Sequence, residues 1–240
     1  NQCLHWIMPR PLWAVKPNVT IDHIRRAGYS AGMSSTPSSY HHGDLRNALL
    51  DAALRHIEQH REISFTLREL AKALGVSAAA PFRHFSSKRL LLAALAEAGY
   101  LLLNERFTEL DTKSAAQPVI CLQRKGVAYV EFAVTHQAYF LAMSHPELAD
   151  RSDLPELDAA RNAVFTSMRH SVTACAEQGL LAPYGPTAAT LTAWSAVHGL
   201  AVLLIDGQLQ ELGFDSELPT ATHAAELVTT ACGFGFLQHR

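Results

Sequence analysis

Histidine, cysteine and carboxylate side chains are the groups in this 240-residue chain that could bind a metal or activate a nucleophile. Glu131 and His136 lie five residues apart, and His136 and His145 lie nine apart, so neither pair has a good helical spacing for metal ligands. The four cysteines, at positions 3, 121, 175 and 232, contain no CxxC pair, and neither a GxSxG nor a P-loop motif is present. We therefore expect a protein that is not an enzyme, with no metal, no cofactor and reduced thiols.

Cationic side chains, which could bind a polyanion, are concentrated towards the amino-terminal end. Residues 1–90 carry 12 Lys and Arg against 6 Asp and Glu, whereas residues 91–240 carry 8 against 16. Five of the 13 histidines also fall within residues 41–90. This distribution favours a polyanion-binding module attached to an acidic body. Chance unevenness of charge is the alternative, and charge alone does not separate the two.

The apolar periodicity around these side chains predicts helices. Apolar residues at helical spacing predict a first helix over about 44–60. Thr66 and Glu69 form a capping box for a short second helix, which Gly75 ends. Ser77 is placed to cap a third helix over about 78–85, and Ser86 or Ser87 to cap a long fourth helix towards residue 107.

No strand pattern persists beyond this region. Further helices are predicted at about 117–136, 137–145, 154–178, 186–206 and 219–237, so the expected fold class is all-α with about nine helices. No apolar run is expected to reach the roughly 18 to 20 residues that span a bilayer, and we expect no membrane association.

Residues 1–39 show no sustained period and contain four prolines, which predicts a disordered or loosely attached arm. Because "MSSTPSSYHHGD" from Met33 has the form of a natural start, we hypothesise that residues 1–32 do not belong to the native protein. The expected domain division is a helix-turn-helix domain over 40–88 and a ligand-binding and dimerisation domain over 89–240.

Two short helices joined by a tight turn containing glycine make a helix-turn-helix, a pattern with many false positives when taken alone. The wider stretch is more specific. "YHHGDLRNALLDAALRHI…FTLRELAKALGVSAAAPFRHFSSKRLLLAAL", residues 40–95, closely resembles the amino-terminal domain of the TetR family of transcriptional repressors. Further along, "AWSAVHGL" resembles the Trp-His-Gly signature of one carboxyl-terminal domain of that family. The resemblance implies a homodimer that binds operator DNA and is released by a small molecule.

The resemblance also implies residue roles. Arg68 corresponds to a position from which family members reach a base edge, and a bidentate contact with guanine suits its chemistry. Thr66, His84 and Lys88 correspond to phosphate-facing positions, and the helix that starts at Lys88 favours an anion. The alternatives are a capping role alone for Thr66, an ion pair for Arg68 and a solvated Lys88.

The sequence departs from the family pattern in the third helix. Phe82 replaces the usual tyrosine, so the hydroxyl contact with a phosphate is lost. Methyl groups of Ala78, Ala79 and Ala80 stand at base-facing positions and can contact thymine methyls but cannot make hydrogen bonds. Pro81 removes an N–H, so the helix is expected to begin tight or distorted. The DNA-binding set is completed by Ser77 and Arg83.

An effector cavity between the middle helices is expected to be apolar with few polar anchors. Its candidate residues are Tyr129, Phe132, His136, Phe140, Met143, Phe165, Met168 and Arg169. Arg169 would suit a carboxylate-bearing ligand. For any single member of the set, a core position or, for Arg169, a surface position is the alternative.

The last two helices are candidates for a dimer interface. "LTAWSAVHGLAVLLI" is apolar nearly all round and calls for burial on more than one face. The interface candidates are Trp194, His198, Gly199 and Leu203, with a plain internal helix as the alternative.

We therefore expect a cytoplasmic one-component regulator, most simply a repressor, that binds palindromic double-stranded operator DNA as a homodimer and is released by a small-molecule effector. The alternative is a helical ligand-binding or interaction protein whose helix-turn-helix no longer binds DNA.

Overall fold

The computed structural model describes residues 42–114, 116–181, 185–214, 218 and 220–236. Within them the chain forms nine α-helices and no strand pair that extends into a sheet, which confirms the all-α fold. In chain order these are α1 His42–His60, α2 Leu67–Ala73, α3 Lys88–Ser114, α4 Pro118–Thr135, α5 Gln137–Met143, α6 Pro155–Glu177, α7 Gly185–Ile205, α8 Gln208–Glu211 and α9 Ala221–Phe236. The arm predicted at residues 1–39, and with it the proposed extension over 1–32, lies outside the described residues.

The start of α2 is fixed by the predicted capping box. The Glu69 backbone N–H donates to Thr66 Oγ1 at 3.2 Å, and the Thr66 N–H donates to Glu69 Oε2 at 2.7 Å. The same interaction lowers the pKa of Glu69, because the carboxylate accepts hydrogen bonds from Thr66. At the other end Gly75 adopts a left-handed φ of +67°, which lets the chain turn sharply after α2.

The third helix differs from the prediction over 78–85. It is a 3-10 helix of four residues, Ala80–Arg83, preceded by a turn at Ala78 and Ala79. Pro81 sits at its start and has no N–H to donate, so the first turn cannot form the α-helical bond at that position. The N-cap is Ala79 without a side-chain hydrogen bond, so the predicted capping role of Ser77 is wrong.

The longer helices lie close to their predicted ranges, and α3 is longer than expected. It runs from Lys88 to Ser114, and Ser87 caps it by accepting the Leu90 N–H at 3.3 Å. The helix carries a buried row of apolar residues that includes Leu103, Phe107 and Leu110, so the buried face continues past residue 107. The short α8 has no counterpart in the prediction.

Helix α4 lies at the centre of the body and packs against α3, α6, α7 and α9. Two glycines permit the closest approaches. A Cβ at Gly126 would come within 2.7 Å of Thr229 Cγ2, and one at Gly99 would come within 2.7 Å of Met143 Sδ. A larger residue would therefore force Thr229 to shift where α4 meets α9 and Met143 to shift where α3 meets α5.

Helix α7 is apolar but only partly covered. Its 21 residues are long and apolar enough to cross a membrane by length and composition, which contradicts the expectation that no such run exists. Only 22% of that window is buried. A helix that is apolar all round is normally buried, so the exposed surface of α7 indicates that a partner covers it.

Candidate DNA interface and effector cavity

The predicted base-reading residue is exposed at the start of α2. Arg68 is exposed and has no hydrogen-bond or ion-pair partner in the part of the chain that the structure describes. The alternative of a fixed ion pair is therefore not what the structure shows. Thr66 is also exposed, and its hydroxyl accepts the Glu69 N–H while keeping its own proton available to a phosphate oxygen.

The third helix presents small side chains and is held from beneath by rings. Ala78 and Ala79 are exposed and Ala80 is half-buried. Pro81 and Phe85 are buried beneath them, and the Arg46 guanidinium lies 5.4 Å from the centre of the Phe85 ring. This arrangement anchors a short segment that carries methyl groups outward.

The remaining residues of this segment differ in exposure. Phe82 leaves 45% of its surface exposed, so it is not a core residue despite its apolar side chain. Ser77 and Arg83 are exposed and His84 is half-buried. Phe82 can thus pack beside a sugar or phosphate, although it cannot make the hydrogen bond of a tyrosine.

Lys88 is held differently from Arg68. Its Nζ donates to the Ile63 carbonyl at 2.9 Å and lies 5.4 Å from the centre of the Phe65 ring. The side chain is half-buried and therefore not simply solvated. A phosphate contact would use the remaining protons of the ammonium group.

An apolar cavity of about 40 Å³ lies among α3, α4, α6, α7 and α9. It is lined by Phe107, Val119, Leu122, Gln123, Lys125, Gly126, Tyr129, Val164, Phe165, Met168, Ala193, Trp194, Ala196, Val197, Thr229, Cys232 and Gly233. In its present form this space holds only a few water molecules, so a larger ligand requires the helices to move apart. Of the predicted effector residues, Tyr129, Phe165 and Met168 lie in this wall.

The other five predicted effector residues do not line this cavity. Phe132 and Phe140 are buried core residues, and Met143 packs against Gly99. His136 follows α4, and its ring lies 5.1 Å from that of Phe132, where burial lowers the pKa of the imidazole. Arg169 is exposed and reaches only the Thr166 hydroxyl, at 3.4 Å, which agrees with its surface alternative.

Two of the four predicted interface residues face the cavity region. Trp194 lines the cavity and stacks on the His198 ring with 5.4 Å between their centres. A hydrogen bond of 3.0 Å joins His198 Nδ1 to the Tyr129 hydroxyl, and burial lowers the pKa of this histidine. Only Gly199 is fully on the exposed side of α7, whereas Leu203 is half-buried.

Lys125 was not predicted as a site residue. Its side chain is 1% exposed, and Nζ forms an ion pair of 2.6 Å with Asp111. Ser167 and Ser171 of α6 complete its surroundings. The sequence contained one signal for this buried lysine: Lys125 lies one helical turn from Leu122 and from Tyr129, on the apolar face of the helix.

Metal binding has no support in the described part of the chain. No three His, Cys, Asp or Glu side chains come together there in a group that could hold an ion. Three described cysteines, Cys121, Cys175 and Cys232, are free, and burial raises the pKa of each thiol. They are therefore poor nucleophiles.

The helix-turn-helix exposes cationic and methyl groups, and one long helix joins it to a body with an apolar cavity. This arrangement is typical of DNA-binding proteins that carry their own ligand-binding domain. Two family models match the chain. The model "Bacterial regulatory proteins, tetR family" covers residues 49–95, and "Tetracyclin repressor-like, C-terminal domain" covers residues 122–231. The chain belongs to the TetR family of DNA-binding transcription regulators.

Solved structures share this fold along most of the chain. A protein of unknown function from Rhodococcus sp. RHA1 is 27% identical, with a TM-score of 0.68, over 84% of this chain and all of that one. The ketosteroid transcriptional regulator KstR2 of Mycobacterium tuberculosis is 16% identical, with a TM-score of 0.60, over 81% and 96% of the two chains. SmeT, the repressor of a Stenotrophomonas maltophilia multidrug efflux pump, is 20% identical, with a TM-score of 0.57, over 80% and 90%. No curated protein sequence matches the chain significantly.

Proposed function

We propose that this protein is a cytoplasmic transcriptional repressor that binds a palindromic operator as a homodimer and is released when a small molecule occupies the cavity. One observation carries the proposal: α3 begins at Lys88, directly after the helix-turn-helix, and carries Phe107 in the cavity wall. A change at the cavity can therefore move the DNA-binding element through a single rigid helix. In a homodimer, the distance between the third helices of the two subunits must match the DNA repeat. A small movement is therefore expected to lower operator affinity.

A second connection supports this coupling. Arg89, next to Lys88, donates to both carboxylate oxygens of Asp153 at 2.7 and 2.8 Å and to the carbonyls of Glu147 and Asp150 at 3.0 and 2.7 Å. The hydrogen bond with Arg89 lowers the pKa of Asp153. Asp153 stands two residues before α6, which supplies Val164, Phe165 and Met168 to the cavity. The start of α3 is thus tied to a helix of the cavity wall.

The dimer is proposed to form through α7 and α9, which pack together. Among the described residues, large apolar side chains that remain strongly exposed are concentrated after α6, as Leu191, Leu212, Phe214 and Leu227. On α7 the exposed positions Leu191, Ser195 and Gly199 recur every four residues and form one stripe. Such a stripe with small residues suits close packing against a second copy.

The named relatives support the direction of regulation. SmeT is described as a repressor and KstR2 as a ketosteroid transcriptional regulator, and both have this fold. They support only the general scheme of a repressor. Ala78, Ala79 and Ala80 offer no hydrogen-bonding side chains. This absence favours the second candidate, an interaction protein whose helix-turn-helix no longer binds DNA.

A DNA-binding measurement tests the proposal. Fluorescently labelled DNA from the region upstream of the gene is titrated with the protein at about 50 and about 200 mM salt, beside a random sequence of equal length. We expect sequence-preferring binding that weakens steeply as salt rises. Absence of any sequence preference in the wild-type protein would favour the interaction-protein alternative.

A further inference from the structure

Lys125 is the charged side chain in the cavity wall, and its ammonium group is fully engaged. Nζ lies 2.6 Å from Asp111 Oδ1, 2.8 Å from Ser167 Oγ, 2.9 Å from the Ser167 carbonyl and 2.9 Å from Ser171 Oγ. A lysine ammonium has three N–H donors, and four acceptors already surround it. No donor is left for a ligand unless one of these partners is displaced.

The charge of Lys125 is also neutralised. Burial alone would raise the pKa of Asp111, but the hydrogen bonds from Lys125 and Ser167 and the positive charge of Lys125 outweigh it and lower that pKa. Ser167 Oγ donates to the second carboxylate oxygen of Asp111 at 2.8 Å. Asp111 is therefore ionised at neutral pH, and the cluster as a whole carries no net charge towards the cavity.

The other polar groups of the wall are neutral. The Thr229 hydroxyl donates to the Ala225 carbonyl at 2.8 Å, and the Tyr129 hydroxyl is paired with His198. The half-buried amide of Gln123 has no hydrogen-bond partner among the described residues. Arg169, the cation expected to receive a carboxylate, is exposed and does not line the cavity.

We propose that the cavity accepts an uncharged, largely apolar molecule, with one neutral polar group placed for Gln123, and rejects a carboxylate of the same shape. This proposal rests on the assignment of the cavity as the effector site. An anionic head group would remain unpaired in an apolar enclosure or would have to displace Asp111 from Lys125, and either event costs binding free energy. The rings of Phe165 and Trp194, 4.6 Å apart between centres, favour an aromatic or flat body.

Calorimetric titration of the full chain with two compounds of one ring system tests the selectivity. Naphthalene-2-methanol is neutral and 2-naphthoate is anionic at pH 7. We expect the alcohol to bind the wild-type protein about tenfold more tightly, or better, because only the anion leaves a charge without a partner. Equal affinity, or tighter binding of 2-naphthoate, would overturn the proposal while leaving the effector site itself in place.

A variant that removes the charged partner of Lys125 tests the selectivity more directly. Asp111→Asn replaces the charged partner of Lys125 with a neutral amide, which an anion displaces at a lower cost in free energy. Affinity for 2-naphthoate should therefore rise about tenfold while that for the alcohol stays within about twofold. Glu109→Gln, on the same helix and paired with Arg106 and Lys113, makes the same change in net charge and should alter neither affinity. Circular dichroism and thermal melting establish that both variants fold.

Each outcome is decisive. Unchanged affinity of a folded Asp111→Asn variant for 2-naphthoate would contradict the role of Lys125 in selectivity. Wild-type protein that binds its operator but neither compound would contradict the effector-site assignment, and the selectivity proposal would fall with it. DNA binding, measured separately, would be unaffected by that failure.

Discussion

At the scale of single residues, the two principal cations of the helix-turn-helix are held differently. Arg68 is exposed and unpaired within the described structure, whereas Lys88 already donates to the Ile63 carbonyl. An unpaired guanidinium is free to take the bidentate geometry that guanine requires. An ammonium fixed beside the backbone can contact a phosphate but reads no sequence.

We predict that Arg68→Ala lowers operator affinity and relaxes base preference, at a cost of about 1–3 kcal/mol, because a base contact is lost. Lys88→Ala should weaken specific and random DNA to the same extent and reduce the salt slope by about one. Fluorescence anisotropy on both DNAs at several salt concentrations measures the two effects. Equal losses for Arg68→Ala on operator and random DNA would remove that residue from base reading.

Two half-buried histidines predict a dependence of stability on pH. Burial lowers the pKa of His136 and of His198 below the ordinary value of 6.5. The unfolded chain then binds protons that the folded chain does not, so the stabilisation is complete above pH 6.5 and is lost as the pH falls towards the folded-state pKa values. Urea unfolding at pH 7.5 and 5.5 should show lower stability at the acidic pH.

Variants identify the source of that pH effect. His136→Gln and His198→Gln replace a titrating ring with a neutral amide and should each reduce the difference in unfolding free energy between the two pH values. His60→Gln, an exposed histidine at the end of α1, is the control and should leave the difference unchanged. If the pH dependence of the unfolding free energy persists in a variant that carries both His136→Gln and His198→Gln, other groups cause it.

At the scale of elements, helix positions follow from the sequence because their causes are local. The Thr66–Glu69 capping box, the prolines at the starts of α4 and α6 and the left-handed Gly75 all act within a few residues. The length of the third helix did not follow, because Pro81 could be expected to distort it but not to reduce it to four residues of 3-10 helix.

Side-chain placement was predictable only in part, because it depends on partners far along the chain. Phe132, His136 and Phe140 recur every four residues, yet the chain breaks at His136, so Phe132 belongs to α4 and Phe140 to α5. Lys125 escaped prediction because its partners Asp111 and Ser167 come from α3 and α6. Likewise, Trp194 and His198 meet Tyr129 of α4, a contact that no local pattern specifies.

The link between α3 and α6 carries the next prediction. Arg89→Gln breaks the bidentate pair with Asp153, so occupation of the cavity should move α3 less, and the effector-induced loss of operator affinity should shrink several-fold. Operator affinity without effector should change little, since Arg89 is bonded within the body. Naphthalene-2-methanol serves as the effector, and anisotropy with and without it measures the coupling.

Arg106→Ala, which breaks a salt bridge confined to α3, is the matched control for Arg89→Gln. It removes an arginine from the same helix without touching α6 and should leave the coupling unchanged. If Arg89→Gln keeps the full response to the effector, the movement must pass through the packing of α3 on α6 rather than through the ion pair.

At the scale of the whole molecule, the apolar surface left by the fold is uneven. No leucine of the amino-terminal elements α1 and α2 is strongly exposed, whereas α7 and α9 leave Leu191 65% exposed and Leu227 50% exposed. A palindromic operator needs two helix-turn-helix elements at a fixed separation. A second copy packed on α7 and α9 would cover their exposed apolar side chains and would fix the distance between the two helix-turn-helix elements. The membrane-like composition of α7 then reflects an interface helix.

We predict that the double variant Leu191→Glu, Leu227→Glu is monomeric, because a dimer would bury two unpaired carboxylates per subunit. Sedimentation velocity should show the wild-type protein at twice the mass of the variant, and operator affinity should fall because only one half-site is bound at a time. Leu101→Glu, a leucine of α3 that is 44% exposed, controls for the added charge and should remain dimeric. A double variant that stays dimeric would place the interface elsewhere and leave the exposed stripe of α7 for another partner.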